Sequence, residues 1–184
     1  MFLLDGKRLT PGVAFTHGDI QYPANWLNLA SSEEKTAIGI TEVVEETRPD
    51  DRFYWVTDNN DGTYSSNPKL LNDRQEFDND GNPLYVQVWN PITREMVDSS
   101  ELLFTKGLKS NWTTQFKTTA NTLLAKTDWM VVRKFEREID IPTDTATYRA
   151  AVITETNRLE TAIAATTTVE ELIAVVTAPN WPQE

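Results

Sequence analysis

Cysteine is missing from all 184 residues, which rules out disulfides, thiolate metal ligands and a cysteine nucleophile. Histidine occurs once, at His17. A single imidazole cannot form a two-histidine metal motif, and no Gly-x-Ser-x-Gly turn exists to present a nucleophilic serine to it. The seven glycines are dispersed, so neither a phosphate-cradling loop nor a dinucleotide fingerprint is spelled anywhere. Basic residues are few: 17 Lys and Arg stand against 28 Asp and Glu, a formal net charge of -11. That field has the wrong sign for phosphate backbones and anionic lipid headgroups, so neither nucleic acid nor membrane is expected as a partner. Long apolar runs are absent too. The opening MFLLDGKRLTPG breaks at Asp5, well short of a signal-peptide core, and no window nears the roughly 18 apolar residues of a membrane span. Cytoplasmic synthesis is the expectation.

What is present argues for a folded chain. A hydrophobic fraction of 39% and six tryptophans supply the surface whose burial offsets the entropy of ordering. The length suits one compact domain or two small ones.

Hydrophobic period divides the chain. FLLDGKRL reads as a strand entering an Asp5-Gly6 turn, because Gly tolerates positive φ and Asp stabilises the turn. Ser31 precedes Glu34 at capping-box spacing and predicts a short helix over 31–38 ending at Gly39. ITEVVEE (40–46) alternates as a strand does, and FYWVT (53–57) predicts a short buried strand. LYVQVW (84–89) has period two, with Leu84, Val86 and Val88 on one face and Tyr85, Gln87 and Trp89 on the other. ITREMV then completes a meander.

From Asp98 the period becomes helical. Asp98 and Glu101 have capping-box spacing, and Gly107 predicts a break. Trp112, Phe116, Ala120, Leu123 and Leu124 mark one side of a helix over about 108–126. Tyr148, Val152, Leu159 and Ile163 mark a second over 144–165. A third begins at Thr168, with Glu171 three residues on, and stops before Pro179. The expected class is α+β: a mixed, β-rich region over 1–97 with a meander, then a helical hairpin or three-helix module over 98–184.

Chemistry-bearing clusters are sparse. Asp58, Asn60 and Asp61 before Gly62, and Asp78 and Asp80 before Gly81, have the oxygen density of a calcium loop. The EF-hand register fails, since Gly81 as sixth residue puts Gln87 at the twelfth and Gly62 puts Pro68 there; these are read as solvated turns. Glu45 with Glu46, and Glu170 with Glu171, lie on ordinary exposed surfaces. No catalytic residue, cofactor or metal site is expected. Trp26, Trp112 and Trp129 sit in apolar contexts and are read first as core, with partner-binding anchors as the alternative. Arg133, Lys134, Glu136, Arg137 and Glu138 are read as a solvated helix face, or, through Arg133, Glu136 and Arg137, as a docking rim.

One segment carries a resemblance. Residues 112–176 resemble a tail-assembly chaperone module of bacteriophage proteins, in which a helix ending Leu-Leu is followed by two variable residues, Thr-Asp-Trp, and a second helix bearing Tyr-Arg. The matching positions are Asn121, Leu123, Leu124, Thr127, Asp128 and Trp129, then Tyr148 and Arg149. Lys117, Ala120 and Ile153 stand where that module often has arginine. YPANWLNLASSEEKTAIGITEV is similar to the start of phage accessory proteins, so the two stretches cover about half the chain. The resemblance implies a non-enzymatic, tail-associated protein that works by protein contact, with a tail-fibre, baseplate or other tail protein as partner. Trp112, Asp128, Trp129, Arg133, Arg137, Tyr148 and Arg149 are the partner-binding candidates. It implies a helical hairpin whose turn Trp129 closes, with Asp128 capping the segment after it, acting in the host cytoplasm during assembly. A permanent place in the virion tail and association with further copies of the chain both stay open; a small wall hydrolase using acidic residues is the remote alternative.

Overall fold

The computed structural model describes residues 1–183, and the fold is α+β, with strands towards the N-terminus and helices towards the C-terminus. The chain forms two compact units, Met1–Asn67 and Pro68–Glu184. Position 98, where the hydrophobic period changes, lies inside a strand of the second unit.

In the first unit, β1 (Phe2–Leu4) and β2 (Lys7–Leu9) pair antiparallel, with Leu4 opposite Lys7. Asp5 and Gly6 both have positive φ, 50° and 72°. Two left-handed residues in succession match the right-handed twist of a hairpin, which is why Asp-Gly suits this turn. β3 (Phe15–His17) and β4 (Ile20–Tyr22) form a second hairpin, followed by the single turn α1 (Trp26–Leu29). Trp26 stands edge-on to Tyr22, with ring centroids 4.8 Å apart. It packs with Phe2, Leu9, Phe15 and Ile38 around buried Leu4, Leu27 and Ile40.

Helix α2 (Ser32–Ala37) starts at the expected capping box: the Glu34 amide donates to Ser31 Oγ at 3.2 Å, and the Ser31 amide to Glu34 Oε2 at 2.7 Å. The strand expected over 40–46 contracts to β5 (Thr41–Glu42), paired with Phe2 and Leu3 of β1. Beyond it the Met1 ammonium bonds the Val43 carbonyl at 2.9 Å, and the Glu46 amide turns to the Gly62 carbonyl at 2.9 Å. β6 (Tyr54–Asp58) and β7 (Tyr64–Pro68) follow. The buried strand expected over 53–57 is corrected: Phe53 is enclosed but precedes β6, whereas Trp55 is 67% exposed. Trp55 and Thr57 alternate as exposed residues along β6, so one face of the β6–β7 ribbon meets solvent.

In the second unit, β8 (Arg74–Gln75) precedes β9 (Tyr85–Asn90), β10 (Glu95–Leu102) and β11 (Phe104–Thr105). In place of a meander, β9 and β10 form a two-stranded ribbon and β8 pairs with β11. Asp98 does not cap a helix. It lies in β10 opposite Gln87, whose side-chain amide it binds, so cross-strand pairing overrides the local capping signal.

The helix begins at Leu108 instead. Asp73 Oδ1 accepts the Gly107 amide at 2.9 Å, and a Cβ on Gly107 would lie 2.5 Å from the Asn72 carbonyl, so only glycine fits this close backbone approach. α3 (Leu108–Ala125), α4 (Asp128–Arg137), α5 (Thr143–Ala165) and α6 (Val169–Val176) complete the unit. α3 buries Leu108, Trp112, Phe116 and Ala120, successive residues four apart on one stripe. α5 opposes it antiparallel, for Lys109 Nζ reaches the Ala164 carbonyl at 3.1 Å at one end and Arg149 reaches the Leu124 carbonyl at 2.9 Å at the other. The threonine-rich stretch is compatible with helix because hydroxyls such as those of Thr114, Thr118 and Thr122 donate back to carbonyls four residues earlier. α6 carries the expected capping box at Thr168 and Glu171. No described helix is long and apolar enough to cross a membrane.

Candidate functional site

Four of the residues that carry the resemblance, Leu124, Thr127, Asp128 and Arg149, meet where α3 ends and α4 begins. α3 stops at Ala125, Lys126 and Thr127 break the helical path, and α4 restarts at Asp128. The last carbonyls of a helix lack intrahelical donors and carry the negative end of its dipole. Here the Leu124 carbonyl accepts from the Thr127 amide at 3.0 Å and the Thr127 hydroxyl at 3.1 Å.

Arg149, from the first half of α5, completes the arrangement. Its Nη1 donates to the Leu124 carbonyl at 2.9 Å and to Thr127 Oγ1 at 2.7 Å, while Nη2 donates to Asp128 Oδ1 at 2.9 Å. The Arg149 side chain is only 16% exposed, against 59% for that of Asp128. One cation therefore neutralises the end of α3, and its fork also holds the first residue of α4. Asp128 lies in the first turn of α4, where a carboxylate also favours the positive end of that helix.

The expected hairpin forms, between α3 and α5, but its connection is not a single turn: residues 126–142 hold a short break and the whole of α4. Trp129 does not close the turn and is not core, being 54% exposed. Arg149 already occupies the junction, and the indole lies beneath the Arg133 guanidinium, 4.8 Å from the ring centroid, a cation–π contact.

α4 buries none of its residues. Phe135 is 91% exposed, and Val131 and Val132 are 41% and 53% exposed. These three share one face, because positions three and four apart neighbour each other on a helix. Met130 and Arg133 on the opposite side are half-buried. The apolar stripe therefore faces solvent. Lys134 bonds to Asp140 at 3.1 Å, Arg137 is exposed, and Glu138 ends the helix in the left-handed conformation.

The other candidates divide between core and groove. Trp112 is buried against Phe116, their centroids 5.9 Å apart, so its ring forms no docking surface. Tyr148 is half-buried and separates two shallow grooves. One, of about 370 Å³, is lined by Leu123, Lys126 and Trp181; the other, of about 270 Å³, by Thr127 and Asp144. Of the departures from the resemblance, Ala120 is buried in the α3 stripe, Lys117 pairs with Glu160 at 3.2 Å and Ile153 is 48% exposed. An arginine at position 120 would not fit that packed stripe.

Two groups that the sequence does not single out matter here. Val131, Val132 and Phe135 form the exposed face; their spacing is visible in the sequence, but not which way it points. Glu155 is a buried carboxylate, bound by Arg158 at 2.6 Å and 2.7 Å and by the Asn180 amide at 2.7 Å. The bonds from Arg158 lower its pKa, and with Asn180 they tie the C-terminal segment to α5.

The acidic loops behave as turns. Asp78 Oδ1 accepts the amides of Asp80 and Asn82, and Asp61 Oδ1 accepts both the amide and the hydroxyl of Thr63. Among the described residues no three His, Cys, Asp or Glu converge as metal ligands. No protein-family model, curated protein or solved structure matches the chain.

Proposed function

We propose that this chain is a non-enzymatic, tail-associated bacteriophage protein that acts by protein contact in tail or tail-fibre assembly. The observation that carries this reading is the convergence of Leu124, Thr127, Asp128 and Arg149, four of the eight positions of the resemblance, on the junction that launches α4. That junction holds a short helix whose apolar residues point outward, as a surface for a groove or an unassembled fibre segment requires. The helix would shield apolar surface on a fibre or baseplate protein in the host cytoplasm until that protein assembles.

The test is co-expression of the full chain with a tail-fibre protein from the genome that encodes it. The expected result is that soluble fibre rises and the two proteins co-purify, and that Phe135→Glu abolishes both while far-UV ellipticity is unchanged. Unaltered fibre solubility with no co-purification would overturn the proposal.

A further inference from the structure

Among the described residues no further strand pairs with β9 and β10; Leu84 at the end of the ribbon bonds Glu76 and Leu103, but along Tyr85–Asn90 β9 has backbone amides and carbonyls facing away from β10. Such a ribbon is marginal alone, and open edges are sites for pairing with another chain. The two edges differ. β10 carries Glu95, Asp98 and Glu101 with no cation, and carboxylates on an edge strand oppose pairing. β9, Tyr-Val-Gln-Val-Trp-Asn, carries no charge, although the whole chain has a formal charge of -11.

The β9 sequence is also self-complementary. Residues 85–89 read aromatic, Val, Gln, Val, aromatic in both directions. Set two copies antiparallel about a two-fold axis through Gln87. Tyr85 then faces Trp89 of the second copy, Val86 faces Val88, and Gln87 faces its own equivalent. Residues paired in this way share a sheet face, and aromatic or β-branched cross-strand pairs stabilise it. Trp89 is 59% exposed and Val88 43% exposed, so both have surface to bury. Gln87 already bonds Asp98 within its own ribbon, leaving its carbonyl for the equivalent amide across the axis.

We propose that the occupant of this edge is a second copy of the chain, giving an isologous dimer built on a four-stranded antiparallel sheet in the order β10, β9, β9, β10. Like charge elsewhere on the two acidic chains opposes association, and the uncharged β9 edge brings them together without setting carboxylates opposite one another.

Sedimentation velocity over a concentration series tests this with two double substitutions. Val86→Lys/Val88→Lys sets lysine against lysine twice across the axis; Val86→Glu/Val88→Lys sets glutamate against lysine twice. The expected result is a dimer for the unaltered chain and for the Glu/Lys protein, and a monomer for the Lys/Lys protein. Hydrogen exchange on the unaltered chain gives an independent reading, in which amide protection across Tyr85–Trp89 rises with concentration. A monomer at all concentrations, a Lys/Lys protein that still dimerises, or concentration-independent exchange in β9 would overturn the proposal.

Discussion

Arg149→Met removes the fork that joins α3, α4 and α5 but keeps most of the aliphatic stem, so it isolates the polar role of the side chain. Three bonds disappear, to the Leu124 carbonyl, Thr127 Oγ1 and Asp128 Oδ1. Their losses do not count equally. The Leu124 carbonyl keeps the amide and hydroxyl of Thr127 as donors, and Asp128 is 59% exposed, so water replaces its lost partner. The main cost falls on the shielded Thr127 bond and on the uncompensated end of α3. Charged hydrogen bonds contribute about 1.5–3 kcal/mol each when shielded, and a cation at a helix C-terminus about 0.3–1 kcal/mol. A loss of about 2–3 kcal/mol is the result. In urea, with a slope of about 2 kcal/mol per molar, the midpoint of helix unfolding should fall by about 1 M. Asp128→Asn, which disturbs only the exposed arm, should cost under about 1 kcal/mol. Arg149→Lys should recover little, because a point ammonium cannot span the three acceptors. Urea titration followed by far-UV ellipticity gives all these values. A cost under about 0.5 kcal/mol for Arg149→Met, or an equal cost for Asp128→Asn, would refute the reasoning.

Gly107→Ala forces a Cβ within 2.5 Å of the Asn72 backbone and should destabilise the second unit by about 2 kcal/mol or more, seen as a lower urea midpoint. Thr168→Ala removes half of the α6 capping box and should cost about 1 kcal/mol in the same assay. Trp129→Ala, at 54% exposed, should cost no more than about 1 kcal/mol, well below the ~3–5 kcal/mol of a core tryptophan. Asp73 adds a pH signature. Bonds from the Ser110 hydroxyl, the Gly107 amide and Lys106 hold its carboxyl at about 2, against 3.8 unperturbed. Because the folded value is the lower, its contribution, of order 1–2 kcal/mol after screening, is complete above about pH 4 and is lost as pH falls through about 2. The stability gap between the unaltered chain and Asp73→Asn should close over that window.

How much of the fold is legible in the sequence depends on the range of each interaction. The Asp5-Gly6 turn and the boxes at Ser31 and Thr168 are settled within a few residues, and all three form as spelled. The α3 stripe is equally readable because Trp112, Phe116 and Ala120 repeat along one face. Asp98 and Glu101 show where local reading fails: their spacing suits a helix cap, yet Asp98 pairs opposite Gln87 in β10. ITEVVEE alternates correctly but pairs with β1 only at Thr41 and Glu42, and the Glu46 amide bonds the Gly62 carbonyl instead. At the candidate site, the resemblance groups Thr127, Asp128 and Arg149, but the bonds that join them cross 22 and 21 residues. Period alone could not show that Val131, Val132 and Phe135 face solvent, since it defines a face and leaves open what covers it.

Under the proposed bacteriophage role, quantitative mass spectrometry of purified particles, set against infected-cell lysate, tests the account most directly. The assembly role predicts abundant protein in the lysate and none at stoichiometric level in the particle. Fixed stoichiometric copies in the mature tail would contradict it and make the chain a permanent tail subunit.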